Sequence, residues 1–227
     1  MNRLEERLNT QSVVKKFSLS LILLIAIFIG CLICLFVVAD MVFEDKSLTF
    51  DDHIFALIQP HITHTRTIII EVFTFLGSQN FLLPGNILLI GYFLFIKKDK
   101  HDAWKITAVA VTSTAVLFLL KFLLHRERPL VPLIAKAHGY SFPSGHTFSS
   151  VVFYGMIAYL VYKNLNNKFL KWLSVFLFAI FIFIIGFSRV YLKLHFASDV
   201  IAGFCLGLIW LVLAKRILLK AGKMPAA

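Results

Sequence analysis

The stretch FSLSLILLIAIFIGCLICLFVVA, Phe17 to Ala39, runs 23 residues without a charge between Lys16 and Asp40. At about 1.5 Å per helical residue it is long enough to cross a hydrocarbon layer of about 30 Å. A cleaved leader ending at Val37-Val38-Ala39 is the competing reading, but the apolar core of such a leader is only about 7–15 residues long. The stretch is therefore read as a first membrane span.

Further uncharged runs follow at Phe81–Ile96, Ile106–Leu120, Thr147–Tyr162, Trp172–Ser188 and Val200–Ala214. Spans are placed at residues 17–39, 80–97, 104–124, 145–162, 171–188 and 197–215. A composition of 59% hydrophobic and 15% charged residues, with a mean hydropathy of +0.84, excludes an ordinary soluble domain. The expected fold is all-α: a polytopic membrane protein, with residues 1–227 forming one membrane-embedded six-transmembrane-helix bundle. Short interfacial helices are expected on its extracytoplasmic side. One would be capped by Asp52, with Ile54, Leu57 and Ile58 on one face and Pro60 ending it. Thr67–Leu76, interrupted by Glu71 and followed by Gly77-Ser78-Gln79-Asn80, is too short to cross alone and reads as interfacial or re-entrant. The tail Ala221–Ala227 shows no periodicity and reads as disordered.

The charge pattern orients the bundle, because lysines and arginines near short loops stay on the cytoplasmic side. Placing both termini and alternate loops there collects 15 of the 23 basic residues, and the whole net charge of +11, on that side. Both termini are thus expected in the cytoplasm of a multi-pass plasma-membrane protein. Anionic inner-leaflet lipid accounts for the basic balance, so no nucleic-acid partner is called for.

Three strings then fall at the opposite, extracytoplasmic ends of the later spans: Lys121-x6-Arg128-Pro129, Pro143-Ser144-Gly145-His146, and Ser188-Arg189-x5-His195-x3-Asp199. Runs of 15–17 uncharged residues rise only about 23–26 Å, so these charges sit at or just below the interface. Cations there mark a functional site by default, with snorkelling anchors as the bland alternative. Lys121 and Arg128 are two helical turns apart and would share a face with His125 nearby, although Pro129 disfavours helix at Arg128. Pro143 and Gly145 punctuate the entry to a span, which would aim the backbone N–H groups of Ser144, Gly145 and His146 at an anion. If helical, His195 and Asp199 lie one turn apart, so the carboxylate can orient the imidazole and leave its other nitrogen as a nucleophile or general base.

In order and spacing these strings resemble the type 2 phosphatidic acid phosphatase superfamily, with all motif positions matched between Lys121 and Asp199. The resemblance implies a membrane-embedded phosphatase that hydrolyses the terminal phosphate of a lipid. His195 would be the nucleophile forming a phosphohistidine, Asp199 its orienting carboxylate, and His146 the acid for the leaving oxygen. Lys121, Arg128, Ser144, Gly145 and Arg189 would bind the phosphate. No metal or other cofactor is implied, and the scattered carboxylates with His53, His61 and His64 form no strong ligand pattern. The partners implied are a lipid phosphate and membrane lipids: phosphatidylglycerophosphate, undecaprenyl diphosphate or phosphatidic acid. Specificity is expected in the loop Leu130–Phe142 and the outer ends of the first two spans. A transporter or flippase could use the same cations, but moving a phosphate needs no oriented histidine. Vanadate-dependent haloperoxidase chemistry, found in related soluble proteins, is disfavoured by the membrane setting.

Cys31 and Cys34 lie within the first span and read as packing residues. Gly203 and Gly207, one turn apart, read as a close helix contact inside the bundle, or alternatively between copies.

Overall fold

The structure is a computed structural model that describes residues 2–43, 47–135 and 139–221. All regular structure among these residues is helical. The elements run α1 (Asn2–Phe43), α2 (Ser47–Ile58), a 3₁₀ turn (Gln59–His61), α3 (His64–Leu76), and α4 (Gln79–Gly91), which continues as a π-helical segment (Tyr92–Ile96). They are followed by α5 (Lys100–Leu124), α6 (Gly145–Asn164), α7 (Lys168–Tyr191) and α8 (Ala197–Ala221). Polar side chains start several of them: Thr63 accepts from the Arg66 N–H, Asp99 from the Asp102 N–H, and Asn167 from the N–H groups of Phe169 and Leu170.

Polarity runs inside out. Phe36, Leu88 and Phe95 are 74%, 73% and 79% exposed, whereas Asp51, Ser144, Thr147, Ser188 and Asp199 are fully buried. Water would not tolerate that many apolar side chains facing outward; lipid does. Five helical stretches among the described residues are long and apolar enough to cross a membrane: Leu24–Val42, His64–Ile96, Lys100–Leu124, Lys168–Tyr191 and Ala197–Ala214. The twenty-residue α6 falls outside that set. Its first turns carry His146, Thr147, Ser149 and Ser150, and it is enclosed by α4, α5, α7 and α8.

That enclosure positions the site. A Cβ at Gly203 would lie 2.9 Å from the Ser144 carbonyl oxygen, and one at Gly207 would lie 2.6 Å from Val151 Cβ. The two glycines therefore serve internal packing, letting the start of α8 press on the start of α6. α1 packs along α8, where Val38 meets Ala202 and Cys31 and Cys34 approach Cys205; all three thiols are free.

Local readings differ in places. α2 begins at Ser47, so Asp52 is an exposed mid-helix residue rather than a cap. Its buried face is Phe50, Ile54, Phe55 and Ile58, packed on Val190, Ala197 and Val200, while Leu57 is exposed. α3 packs along α7 and meets α4 at Gly77–Ser78, so the two make one interrupted helical path. Residues 222–227 of the tail lie outside the described residues.

Candidate active site

α7 ends at Tyr191, and residues 192–196 turn the chain into α8, with Lys193 in the left-handed region at φ 53°. The N–H groups of Leu194 and His195 both donate to the Arg189 carbonyl, at 3.1 and 3.2 Å. His195 is thereby hung from the residue that carries one of the cations. Asp199 sits in the first turn of α8 and reaches back to accept from the Phe196 N–H at 3.0 Å, as the acidic member of a capping box does. The same oxygen lies 3.3 Å from His195 Nδ1 and accepts from the Ser141 hydroxyl. His195 precedes the helix, so the spacing of four works through a helix cap and not, as expected, through a shared helical face.

The ring's other nitrogen is defined by its neighbour. Arg128 Nη1 lies 3.1 Å from His195 Nε2, and a guanidinium can only donate. Nε2 must therefore present its lone pair and Nδ1–H must point at Asp199, the tautomer a nucleophile requires. Burial pushes the His195 pKa down from 6.5 to about 3, against the opposing pull of Asp199. The imidazole is neutral at physiological pH.

Three cations line the same cavity as His195. Lys121 Nζ donates to the Tyr140 carbonyl at 2.7 Å, and Arg128 donates to the carbonyls of Gly139 and Leu194 at 2.8 Å each. Arg189 Nη1 donates to Thr74 Oγ1 at 2.6 Å, while its buried Nε has no hydrogen-bond partner. A buried guanidinium N–H without an acceptor is costly, and an anion in the adjacent space would satisfy it. That space is a cavity of about 750 Å³ lined by Lys121, Arg128, Gly145, His146, Arg189 and His195, together with Gly77–Asn80 of the α3–α4 turn and Gly139–Tyr140. It is large enough for a headgroup as well as a phosphoryl group.

Ser144 is placed elsewhere. It is fully buried, its hydroxyl accepts from Thr147 at 3.0 Å, and its N–H donates to the Asp199 carbonyl at 3.0 Å. It ties α6 to α8 behind the cavity wall instead of facing the cavity, so the N–H groups at the α6 entry that remain for an anion exclude its own. α5 stops at Leu124, with His125 in the left-handed region, so Arg128 projects from the irregular chain that follows, and the His125 ring packs on Tyr140. Within the expected specificity loop, residues 136–138 lie outside the described residues. No group of three or more His, Cys, Asp or Glu among the described residues is placed to hold a metal ion.

A second layer escaped the sequence reading. Arg126 spans two buried carboxylates, with Nη1 2.6 Å from Asp199 Oδ1 and Nη2 2.9 Å from Asp51 Oδ2. Asp51 also accepts from the Ser198 N–H and hydroxyl, at 3.0 and 2.6 Å, and the Arg126 guanidinium lies 4.2 Å over the Phe196 ring. α2 is thus fastened to the orienting carboxylate. A signal existed: Asp51, Ile54, Phe55 and Ile58 share a helical face, which places a carboxylate on the buried side of α2.

Comparison with known proteins gives concordant results. Residues 102–223 match the PAP2 superfamily. Phosphatidylglycerophosphatase B of Bacillus subtilis is 36% identical over 145 residues, 63% of this chain and 70% of that protein. Lipid A 4'-phosphatase of Porphyromonas gingivalis is 27% identical over 161 residues, covering 59% of this chain and 65% of that one. Among solved structures, a transmembrane PAP2-type phosphatidylglycerolphosphate phosphatase from Bacillus subtilis superposes with a TM-score of 0.78 and 26% identity, covering 87% of this chain and 98% of that one. LpxE of Aquifex aeolicus superposes with a TM-score of 0.55 at 24% identity, covering 74% and 93%, which shows shared fold alone.

Proposed function

This chain belongs to the PAP2 superfamily and is a lipid phosphatase; from that premise we propose that it removes a terminal phosphate from a membrane lipid through a phosphohistidine on His195. The observation that carries the reading is the convergence of Lys121, Arg128 and Arg189 on one cavity beside the lone pair of an Asp199-oriented imidazole.

The phosphoryl group enters among the three cations, whose charge suits the roughly −1.5 to −2 it carries and the spread of that charge over its oxygens in the transition state. Arg128 exchanges its contact with Nε2 for a phosphoryl oxygen, which frees the lone pair. Nε2 bonds to phosphorus as the bond to the leaving oxygen breaks, and His146, once it has taken up the proton that the phosphate monoanion brings into the site, delivers it to that oxygen. Asp199 stabilises the positive charge on the modified ring. Water then attacks phosphorus, His146 takes the proton, and the N–P bond breaks to release phosphate and the free imidazole.

The lipid chains have a route. A groove of about 460 Å³ between α4, α5 and α6, lined by Leu82, Ile87, Ile90, Val111, Phe118 and Met156, shares Gln79, Leu117, Phe118 and Ser149 with the polar cavity. A lipid held there would have its tail in the hydrocarbon and its phosphate on the cations.

Within this reading the protein has six spans, α6 joining the five apolar stretches as the fourth in chain order, with α2 and the start of α3 at the outer interface. Both termini are cytoplasmic and the site faces the extracytoplasmic leaflet, supported by the basic residues at the other ends of the helices. Candidate substrates are phosphatidylglycerophosphate, undecaprenyl diphosphate and phosphatidic acid. Hydrolysis needs no metal, so purified protein should release inorganic phosphate from at least one of them with chelator present. His195→Ala should lower turnover by more than about 10³-fold while leaving the unfolding temperature near that of the wild type. Wild-type protein inert on all three lipids, or a His195→Ala variant near full activity, would overturn it.

A further inference from the structure

One guanidinium serves two buried carboxylates behind the cavity. Arg126 Nη1 is shared between Asp199 Oδ1 at 2.6 Å and the Ser198 hydroxyl at 2.7 Å, while Nη2 donates to Asp51 Oδ2 at 2.9 Å. The Ser198 hydroxyl donates in turn to Asp51 Oδ2 at 2.6 Å, which closes a ring of Arg126, Ser198 and Asp51 beside Asp199. Asp51 itself does not line the cavity.

Fastening α2 does not account for the charge on Asp51. Phe50, Ile54, Phe55 and Ile58 already seat that helix on Val190, Ala197 and Val200. A neutral carboxamide oxygen could accept from the Ser198 N–H and hydroxyl as the carboxylate does. A buried ion pair is also a poor source of stability, since well-packed neutral groups serve as well or better. What only a carboxylate can do there is oppose the charge of Arg126.

That opposition matters at Asp199. When Nε2 of His195 bonds to phosphorus and the bond to the leaving oxygen breaks, Nδ1 keeps its hydrogen and the ring becomes positive. Asp199 Oδ2, 3.3 Å from Nδ1, is the carboxylate oxygen that meets this charge. Were Arg126 balanced by Asp199 alone, that pair would be neutral when the positive ring forms. With Asp51 present, two carboxylates face one guanidinium and a negative charge is left over for His195. We propose that Asp51 is a positioning residue for the reaction: it balances Arg126, so that Arg126 can hold Asp199 in place without cancelling it. Charge alone does not suffice, because Asp199 must also be held, which is the part of Arg126. The assignment rests on the phosphohistidine reading, and it brings α2, far in sequence from the three motifs, into the chemistry.

The full chain in detergent micelles, mixed rapidly with whichever of the three lipids it hydrolyses fastest, radiolabelled in the terminal phosphate, gives the rate of phosphoenzyme formation alongside kcat and KM. Asp51→Asn should slow phosphoenzyme formation and kcat about 10- to 100-fold, as loss of a carboxylate behind a functional histidine does elsewhere. KM should stay within about twofold, the pattern of an interaction made only in the transition state. Asp51→Ser removes the same charge without placing a carboxamide against Arg126, so the outcome does not depend on one variant folding. Ser198→Ala breaks the ring but keeps both carboxylates; it should lower kcat less than either neutral variant, even where it lowers the unfolding temperature more. Label transfer within about twofold of wild type in the neutral Asp51 variants would overturn the assignment and leave the hydrolase intact. So would losses of kcat that simply track the unfolding temperature across all three variants. A wild type that turns over the lipid without ever carrying label on His195 would overturn the phosphohistidine reading, and the role of Asp51 with it.

Discussion

Removing the Arg126 guanidinium with Arg126→Met should damage catalysis and stability separably. The arginine side chain is 11% exposed, and the two carboxylates it joins, Asp51 and Asp199, are fully buried. Deleting one partner of a buried pair costs about 3–5 kcal/mol, because the remaining charge is left without compensation. Here two carboxylates are left facing one vacated space. Asp199 would keep the Phe196 N–H, the Ser141 hydroxyl and His195, but would lose the 2.6 Å bond that fixes its second oxygen. A displacement of about 1 Å at His195 is worth about 10²-fold in rate, so kcat should fall by about that factor. KM should change little, since Arg126 does not line the cavity. Phosphate release from lipid in micelles gives kcat and KM, and thermal unfolding in the same detergent gives stability. The double variant Arg126→Met/Asp51→Asn separates the two effects. It removes the stranded charge on α2 and should recover much of the unfolding temperature, yet kcat should stay low because Asp199 still lacks its cation. If kcat returned together with stability, or if Arg126→Met kept kcat within about twofold, Arg126 would have no part in positioning Asp199.

Three further outcomes follow from the geometry. Arg189→Lys should lower kcat/KM at least about 10-fold and weaken inhibition by vanadate, because an ammonium cannot bond Thr74 and present a second N–H to the phosphoryl group from a fixed fork; wild-type kinetics would mean the orphan Nε is not an anion contact. For His195, whose pKa falls to about 3 from 6.5, the imidazole is neutral in native and unfolded chains above pH 6.5 and contributes no pH dependence there. As pH falls from 6.5 toward 3 the unfolded chain takes up a proton that the native site refuses, so stability is lost. His195→Gln should therefore flatten the fall in unfolding temperature between pH 6.5 and 4, and an unchanged acid slope would refute the assignment. Gly203→Ala, whose Cβ would sit 2.9 Å from the Ser144 carbonyl, should cost about 1–3 kcal/mol and also lower kcat by parting α8 from α6. Gly30→Ala, with nothing within 4 Å, should do neither.

The readable part of the site is local. His195 and Asp199 are four residues apart, and any helix or helix cap across that interval brings them together, so the pairing survived even though His195 lies before α8. The short reach from Lys121 to Arg128 likewise allowed few arrangements. Ser144 shows where local reading fails: its place at a helix entry suggested an anion contact, but the pressure of Gly203 on α6 turns it inward and commits its N–H to Asp199. Arg126 was hidden beside the more conspicuous Arg128, because nothing within a few residues tells which of two neighbouring arginines points into the cavity and which points behind it.

Hydropathy and charge placement were enough to make this a helical membrane protein, because a lipid solvent forces long uncharged helices whatever the details of packing. The spacing of three motifs was enough to name a phosphate, because that chemistry needs cations and an oriented histidine. Which groups stand behind those motifs depended on contacts between residues far apart in the chain: Asp51 with Arg126, Thr74 with Arg189. The unpartnered Ser78 hydroxyl has the same origin. Such contacts arise only when helices are packed, since the side chain that faces a cavity is chosen by the close approach of backbones and not by its neighbours in sequence.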